Sequence, residues 1–403
     1  MTSRLLPKGW KEVELGSALK RIKRPVNLDL STMYREIGIR SHGKGIFYKE
    51  ERTGSSIGEK SVFWVEPDCF IVNIVFAWEQ AVAKTTAKEN GMIASHRFPM
   101  YRPLEGKLIL DYLVYFFKSP RGKHLLGLAS PGGAGRNKTL GQESFFKLAI
   151  PLPPPPEQRK ITAILSTWDK AIAETERFID ALRRRKKAFM QQLLTGQVRL
   201  PGFDGKWKEH HLGKLGSFSK GSGISKSELV QDGIPCIRYG EIYTTHHFVI
   251  KEFHSFIPPE IVATSKQIYA GDILFSGSGE TAEEIGKCVA YIGKEVAYAG
   301  GDVIILRLSK GDPIFMGYLL NHETIRRQKY RLAQGNSVVH IYERYLKDIK
   351  IPFPPIEEQQ EIARVLQTCD EEIDLYERKL SALKQQKKGL MQKLLTGQIR
   401  VKV

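Results

Sequence analysis

The segment Ile150–Leu200 recurs as Ile351–Val401, aligned without a gap at an offset of 201 residues and identical at about half its positions. The first copy opens IPLPPPPEQRKI and closes MQQLLTGQVRL; the second opens IPFPPIEEQQEI and closes MQKLLTGQIRV. The stretches before each copy also begin alike, Trp10-Lys11-Glu12 with Leu15-Gly16 and Trp207-Lys208-Glu209 with Leu212-Gly213. Two copies are too few for a solenoid, which needs three or more stacked units. The chain therefore reads as a duplicated protein with two lobes, each followed by the same long element.

That element is a helix. Ile161, Leu165, Trp168, Ile172, Thr175, Ile179, Leu182, Lys186, Phe189 and Leu193 alternate spacings of four and three, and the second copy repeats the stripe from Ile362 through Leu366, Cys369, Ile373, Tyr376, Leu380, Leu383, Lys387, Leu390 and Leu394. A 3.5-residue repeat is a narrow seam that needs a helical partner. Prolines at each start fix φ and lack only an N–H that would go unpaired. Glu157 and Glu358 suit the positive helix end, and Gly196 and Gly397 stand where a C′ glycine ends a helix. The predicted spans, 157–195 and 358–396, are each roughly 57 Å long at 1.5 Å per residue.

The cheapest partner for each helix is its own copy, because closing the intervening loop costs little more as it lengthens. The stripe residues Ile161, Leu165, Trp168, Ile172, Ile179, Leu182, Ile362, Leu366, Ile373, Leu380 and Leu383 are the expected helix-pairing set. Periodicity leaves parallel and antiparallel pairing open. Lys186 and Lys387 break the stripe at equivalent places. Their tips are expected to snorkel past the seam or meet carboxylates, so that replacement by Leu would be neutral or mildly stabilising. The basic runs Arg183–Lys187 and Lys384–Lys388 read first as solvated helix faces, with DNA contact as the second possibility.

Composition narrows the class. The 403 residues carry a net charge of +18, and more than half of that excess falls in residues 1–156. Such a balance points to a polyanionic partner, most often nucleic acid. Four scattered cysteines without a C-x-x-C read as reduced, buried thiols of a cytoplasmic protein. No signal-like start and no apolar run of membrane length is present.

The lobes diverge in sequence, yet both read as mixed α/β. Candidate DNA contacts are Arg136, Asn137, Lys138 and Thr139 after the glycines of Gly132–Gly135, with Gln334 and Asn336 at the corresponding place in the second half. Arg238, Tyr239, Ser276 and Ser278 complete the set. Glycines admit a phosphate to the backbone, and Arg and Asn match guanine and adenine edges, although Gly-Ser and Gly-Asn pairs are more often plain turns. No Walker loop, G-x-S-x-G or H-E-x-x-H occurs. The pairs His210-His211 and His246-His247 lack a further ligand at metal spacing and read as surface or loop histidines. The chain is read as non-catalytic, with no catalytic, cofactor or metal site.

Together the W-K-E…L-G openings, the element GDILFSGSG…IGK and the doubled I-P-x-P-P…E-Q helix ending L-L-T-G resemble the specificity subunit of type I restriction–modification enzymes, over nearly the whole chain. The resemblance implies a target-recognition domain in residues 1–155, a scaffold helix in 156–200, a second recognition domain in 201–356 and a second scaffold helix in 357–403. It implies an antiparallel coiled coil with internal pseudo-two-fold symmetry. Each domain would read half of a bipartite site in double-stranded DNA, and the helices would set the spacer. Two methyltransferase subunits using S-adenosylmethionine and two restriction–motor subunits using ATP and Mg would be the partners, with no cofactor in this chain. A stand-alone two-lobed DNA-binding regulator is the alternative.

Overall fold

The computed structural model describes residues 6–132, 138–335 and 338–402. The chain divides into two units, Met1–Glu176 with Arg378–Val403, and Arg177–Glu377. Both divisions fall inside the long helices, Pro155–Leu193 and Ile356–Leu395, so each helix gives one part to each unit. The helices begin two residues before the expected starts, because Pro155 and Ile356 already have helical geometry after the leading prolines.

In the first unit, the strands Leu19–Ile22, Met100–Pro103, Phe70–Val72 and Val82–Lys84 form an antiparallel sheet in that order. A second sheet runs Ile46–Thr53, Met33–Ile39, Ile93–Ser95, Val62–Trp64, and its middle pair is parallel. The apolar run Leu108–Ser119 becomes the helix Leu110–Lys118. Phe116 and Phe117 on that helix pack with Phe70, Tyr101 and Phe145 in the core.

The second unit repeats this plan. Gly216–Lys220, Val303–Leu308, Asp272–Ser276, Cys288–Tyr291 and Val249–Ile250 make one sheet; Ser255–Ile257, Ile234–Ile237, Ala297–Ala299 and Lys266–Ile268 make the other. Again one inner pair, Ile234–Ile237 with Ala297–Ala299, is parallel. Strand for strand the order matches the first unit, with Val249–Ile250 added at one edge. The duplication therefore extends into lobes whose sequences no longer show it. All four cysteines are free and buried.

Each lobe is closed at its neck by a two-stranded ribbon. Lys11–Glu14 pairs antiparallel with Ala149–Leu152, and Lys208–His211 with Lys350–Phe353. The repeated motifs meet beside these ribbons. Glu157 accepts from Trp10 Nε1 at 3.1 Å and is held by the Arg400 fork at 2.7 and 2.8 Å. Its counterpart Glu358 accepts from Trp207 Nε1 at 2.9 Å and from the Arg199 fork at 2.6 and 2.7 Å. The neighbouring glutamines also match. Gln158 accepts from Ile109 N–H, and Gln359 from Asp312 N–H. The sequence pattern W-K-E, E-Q and T-G-Q-x-R is thus a fastening of lobe, helix start and helix end.

Within each unit the helices run antiparallel, which settles the orientation that periodicity left open. In the first unit Asp169 meets Lys387 and Glu176 meets Lys384. In the second, Asp370 meets Lys186, Glu372 meets Arg185 and Glu377 meets Arg183. The basic runs are therefore rungs to the other helix, at least at Arg183, Arg185, Lys186, Lys384 and Lys387. Lys186 is buried, with its ammonium 4.1 Å from the Phe248 ring centre and paired to Asp370. It pairs with a carboxylate as one of the two expectations held, and the neutral replacement expected with it no longer follows.

The stripe residues divide by depth. Ile161 and Leu165 enter the core of the first unit beside Leu394 and Leu395. Ile362 and Leu366 enter that of the second beside Leu193 and Leu194. Ile179, Leu182 and Ile373 are buried, whereas Trp168, Ile172, Leu380 and Leu383 are half-buried. Most of the seam's outer part is thus seated on lobe as well as helix.

Candidate nucleic-acid interface

In the first unit four turns gather at the strand ends of the two sheets. Arg40 directly follows the strand Met33–Ile39, and its turn is tied by His42 N–H to Glu79 O at 2.7 Å and by Gly43 N–H to Gln80 O at 2.9 Å. Gly43 has φ of 65°, and a Cβ there would press within 2.9 Å of the Lys118 side chain, so the tie depends on glycine. Ile74 N–H donates to Arg97 O at 3.0 Å, and Leu140 N–H to Ile74 O at 2.8 Å. Arg40, His42, Lys44, Phe76 and Arg97 are exposed on these turns. Burial pulls the Lys118 ammonium beneath them below the usual lysine range. The result is a basic patch with aromatic groups among the charges, the composition that contacts phosphates and bases.

Of the candidates here, Lys138 is half-buried with its ammonium 5.7 Å from the Trp78 ring centre, and Thr139 is exposed. Arg136 and Asn137 lie outside the described residues. Arg40, Phe76, Trp78 and Arg97 were not singled out from sequence. The one available signal was Ile39-Arg40 echoing Ile237-Arg238, since both arginines directly follow equivalent strands.

The second unit has a cleft of about 880 Å³ at the matching station. Arg238 and Tyr239 line it with Lys220, Lys226, Glu241 and the turn Gly300–Asp302. Gly300 N–H donates to Ile237 O at 2.9 Å, which fixes the turn against the strand before Arg238. Elsewhere in this unit Gln334 exchanges backbone hydrogen bonds with His340, and Gly335 has φ of 106°. A Cβ at Gly335 would meet Val338 O at 2.2 Å. Gln334 Nε2 donates to Tyr345 Oη at 2.9 Å, and the Arg344 guanidinium lies over the rings of Tyr342 and Tyr345. Asn336 lies outside the described residues.

Two candidates have a different place. Ser276 and Ser278 are buried. Ser276 Oγ donates to Ser278 O at 2.7 Å, and Ser278 Oγ is 2.9 Å from His340 Nδ1. Their segment is internal because Gly277 N–H binds Asp302 O and Gly277 O receives Ile341 N–H. These serines support the turns on either side and are closed to solvent, contrary to the exposed place expected of a contact. Among the histidines read as exposed, His246 is buried, and burial holds it below the usual range. Among the described residues no group of three or more His, Cys, Asp or Glu side chains could hold a metal ion. Nor is any helix among them long and apolar enough to cross a membrane.

Two lobes of one topology, presenting different side chains at one station, are what a reader of two different sequences requires. Residues 39–184 and 204–385 match the type I restriction modification DNA specificity domain. The chain belongs to this family. It is 26% identical to the type I restriction enzyme MjaVIII specificity subunit of Methanocaldococcus jannaschii, across 98% of this chain and 94% of that one. A putative specificity subunit of Haemophilus influenzae is 25% identical over 58% of this chain and 59% of its own length.

Solved structures share the fold of these specificity domains. The HsdS subunit from Thermoanaerobacter tengcongensis superposes with a TM-score of 0.56 at 18% identity, over 99% of both chains. A chain from a structure of a type I R-M system, concerned with its complex assembly and conformational transition, gives 0.64 at 19% identity over 98% of this chain and 100% of that one. The S subunit from M. genitalium gives 0.58 at 15% identity, over 96% of both.

Proposed function

We propose that this chain is the DNA sequence-recognition subunit of a type I restriction–modification enzyme, with each lobe reading one half of a bipartite target. The observation that carries this is the pair of equivalent stations, Arg40 with Arg97 and Arg238 with Gly300–Gly301, set on one strand order with different side chains. A specificity difference between half-sites needs nothing more than such turn variation on a common scaffold.

The two helices serve as the ruler between half-sites and as the docking surface for partners. Two methyltransferase subunits fit the doubling of the fastening motifs, and two restriction–motor subunits complete the assembly. S-adenosylmethionine, ATP and Mg are used in those partner chains. The same doubling disfavours the stand-alone regulator, which has no use for two equivalent fastenings outside its reading loops.

Methylome sequencing of cells carrying the chain with its methyltransferase tests the reading. A two-part motif with a non-specific spacer is the expected result. Four residues inserted into each helix at equivalent places should lengthen the spacer by roughly one or two base pairs, since four helical residues rise about 6 Å and base pairs stack at 3.4 Å. A continuous motif, or modification unaffected by loss of the chain, would sink the proposal.

A further inference from the structure

The cleft of the second unit has an electrostatic character that narrows what enters it, granted the DNA-reading function proposed above. Its lining holds three cations, Lys220, Lys226 and Arg238, and three carboxylates, Glu228, Glu241 and Asp302. The carboxylates are already engaged. Glu241 accepts Arg238 N–H at 2.8 Å and the Ser255 hydroxyl; Glu228 accepts Ser225 N–H; Asp302 pairs with Lys220 at 3.3 Å. None of them reaches the Arg238 side chain within ion-pair distance. Arg238 Nε is sealed from solvent and has no hydrogen-bond partner among the described residues. The sealed Nε is out of a ligand's reach, but the residue is only half-buried and its two terminal nitrogens have no protein acceptor among the described residues, which leaves them to a ligand in the cleft.

We propose that the cleft receives the edge of a DNA strand and that Arg238 reads a guanine in the half-site of the second unit. A phosphate would bring a full negative charge among three carboxylates in a cleft with no net positive charge. Guanine O6 and N7 bring two acceptors and no charge, and they match the two-pronged guanidinium. The prong is also positioned in advance. Arg238 starts where its strand ends, its own N–H is tied to Glu241, and Gly300 lies so close that an added Cβ would sit 3.4 Å from Arg238 Cγ. Arg40 occupies the same station in the first unit, where its guanidinium lies 5.1 Å from the Phe47 ring centre.

The test uses the chain co-purified with its methyltransferase and a duplex carrying the motif found by methylome sequencing. Each guanine of each half-site is replaced in turn by 7-deazaguanine, which lacks the N7 acceptor. Wild type should lose affinity at one guanine of one half-site. Arg238→Ala should bind the unmodified duplex about 5- to 150-fold more weakly, the equivalent of 1–3 kcal/mol, and be indifferent to 7-deazaguanine there. Arg238→Met keeps an unbranched stem and removes every donor, so it too should lose that discrimination; it remains informative if the alanine variant fails to fold. Weakening across all sequences, with a salt slope smaller by about one, would mark a phosphate contact and overturn the proposal. Unchanged discrimination in both variants would also overturn it. Wild type that fails to prefer the motif over a scrambled duplex would instead sink DNA reading itself.

Discussion

Arg199 and Arg400 perform the same fastening with unequal burial, and this gives a graded prediction. The Glu358 side chain is 0% exposed and its Arg199 partner 22%, whereas Glu157 is 3% exposed and Arg400 42%. Arg199→Ala leaves a sealed carboxylate with only the Trp207 N–H, and breaking such a buried pair costs about 3 kcal/mol or more. At about 2–4 °C per kcal/mol for a unit of this size, the melting temperature should fall by roughly 6–12 °C. Arg400→Ala should cost less, about 1–2 kcal/mol, because water reaches more of the pair. Glu358→Gln added to Arg199→Ala should recover much of the loss, since the amide carbonyl still accepts from Trp207 and no charge stays buried. Thermal melts and urea titrations of wild type and the three variants decide it. Equal costs for the two arginines, or no recovery in the double variant, would refute a burial-graded cost.

Further outcomes follow from the same geometry. Lys186→Leu strands Asp370 with only the Tyr318 hydroxyl and should destabilise by about 2 kcal/mol; Lys387→Leu, whose partner Asp169 is 47% exposed, should stay within about 1 kcal/mol, and equal urea midpoints for the two would contradict this. Lys329 is fully buried, donates to Gly286 O, and is pulled by desolvation from the ordinary 10.5 to about 8. Between those values the unfolded chain holds a proton that the folded chain has released, so stability should rise with pH across that window, by up to about 3 kcal/mol; the difference between wild type and Lys329→Met in urea titrations at pH 7 and 10 reads it, and parallel curves would refute it. Lys138→Ala should weaken binding evenly across DNA sequences and lower the salt slope by about one, as fluorescence anisotropy at several salt concentrations would show; altered base preference would mean a different role.

Sequence periodicity made the helices and their approximate ends legible, because a 3.5-residue stripe repeated at a fixed offset suits little besides paired helices; it did not show that Ile161, Leu165, Ile362 and Leu366 on that stripe also enter the lobe cores. It left orientation open, since antiparallel pairing is carried by cross-helix charges such as Lys186 with Asp370, which a stripe does not encode. The W-K-E and E-Q motifs were visible as repeats while their purpose was hidden, because Trp10, Glu157 and Arg400 meet only in three dimensions. Ser276 and Ser278 look like turn residues in sequence, yet the backbone bonds of Gly277 draw them inside. Arg97 gave no signal and Arg40 only its echo of Ile237-Arg238, since their importance comes from strands that pair far apart in the chain.

The neck ribbons carry one more consequence. Because Lys11–Glu14 lies beside Ala149–Leu152, and Lys208–His211 beside Lys350–Phe353, a lobe leaves the scaffold almost where it joined it. Everything between those strands is a detour, and its turns can vary without disturbing the helices as long as the ribbon, its Trp–Glu–Arg fastening and the lobe residues packed on the helices are kept. A chain built this way can change the turns of either lobe, and with them the DNA sequence it recognises, while the repeated borders stay as they are.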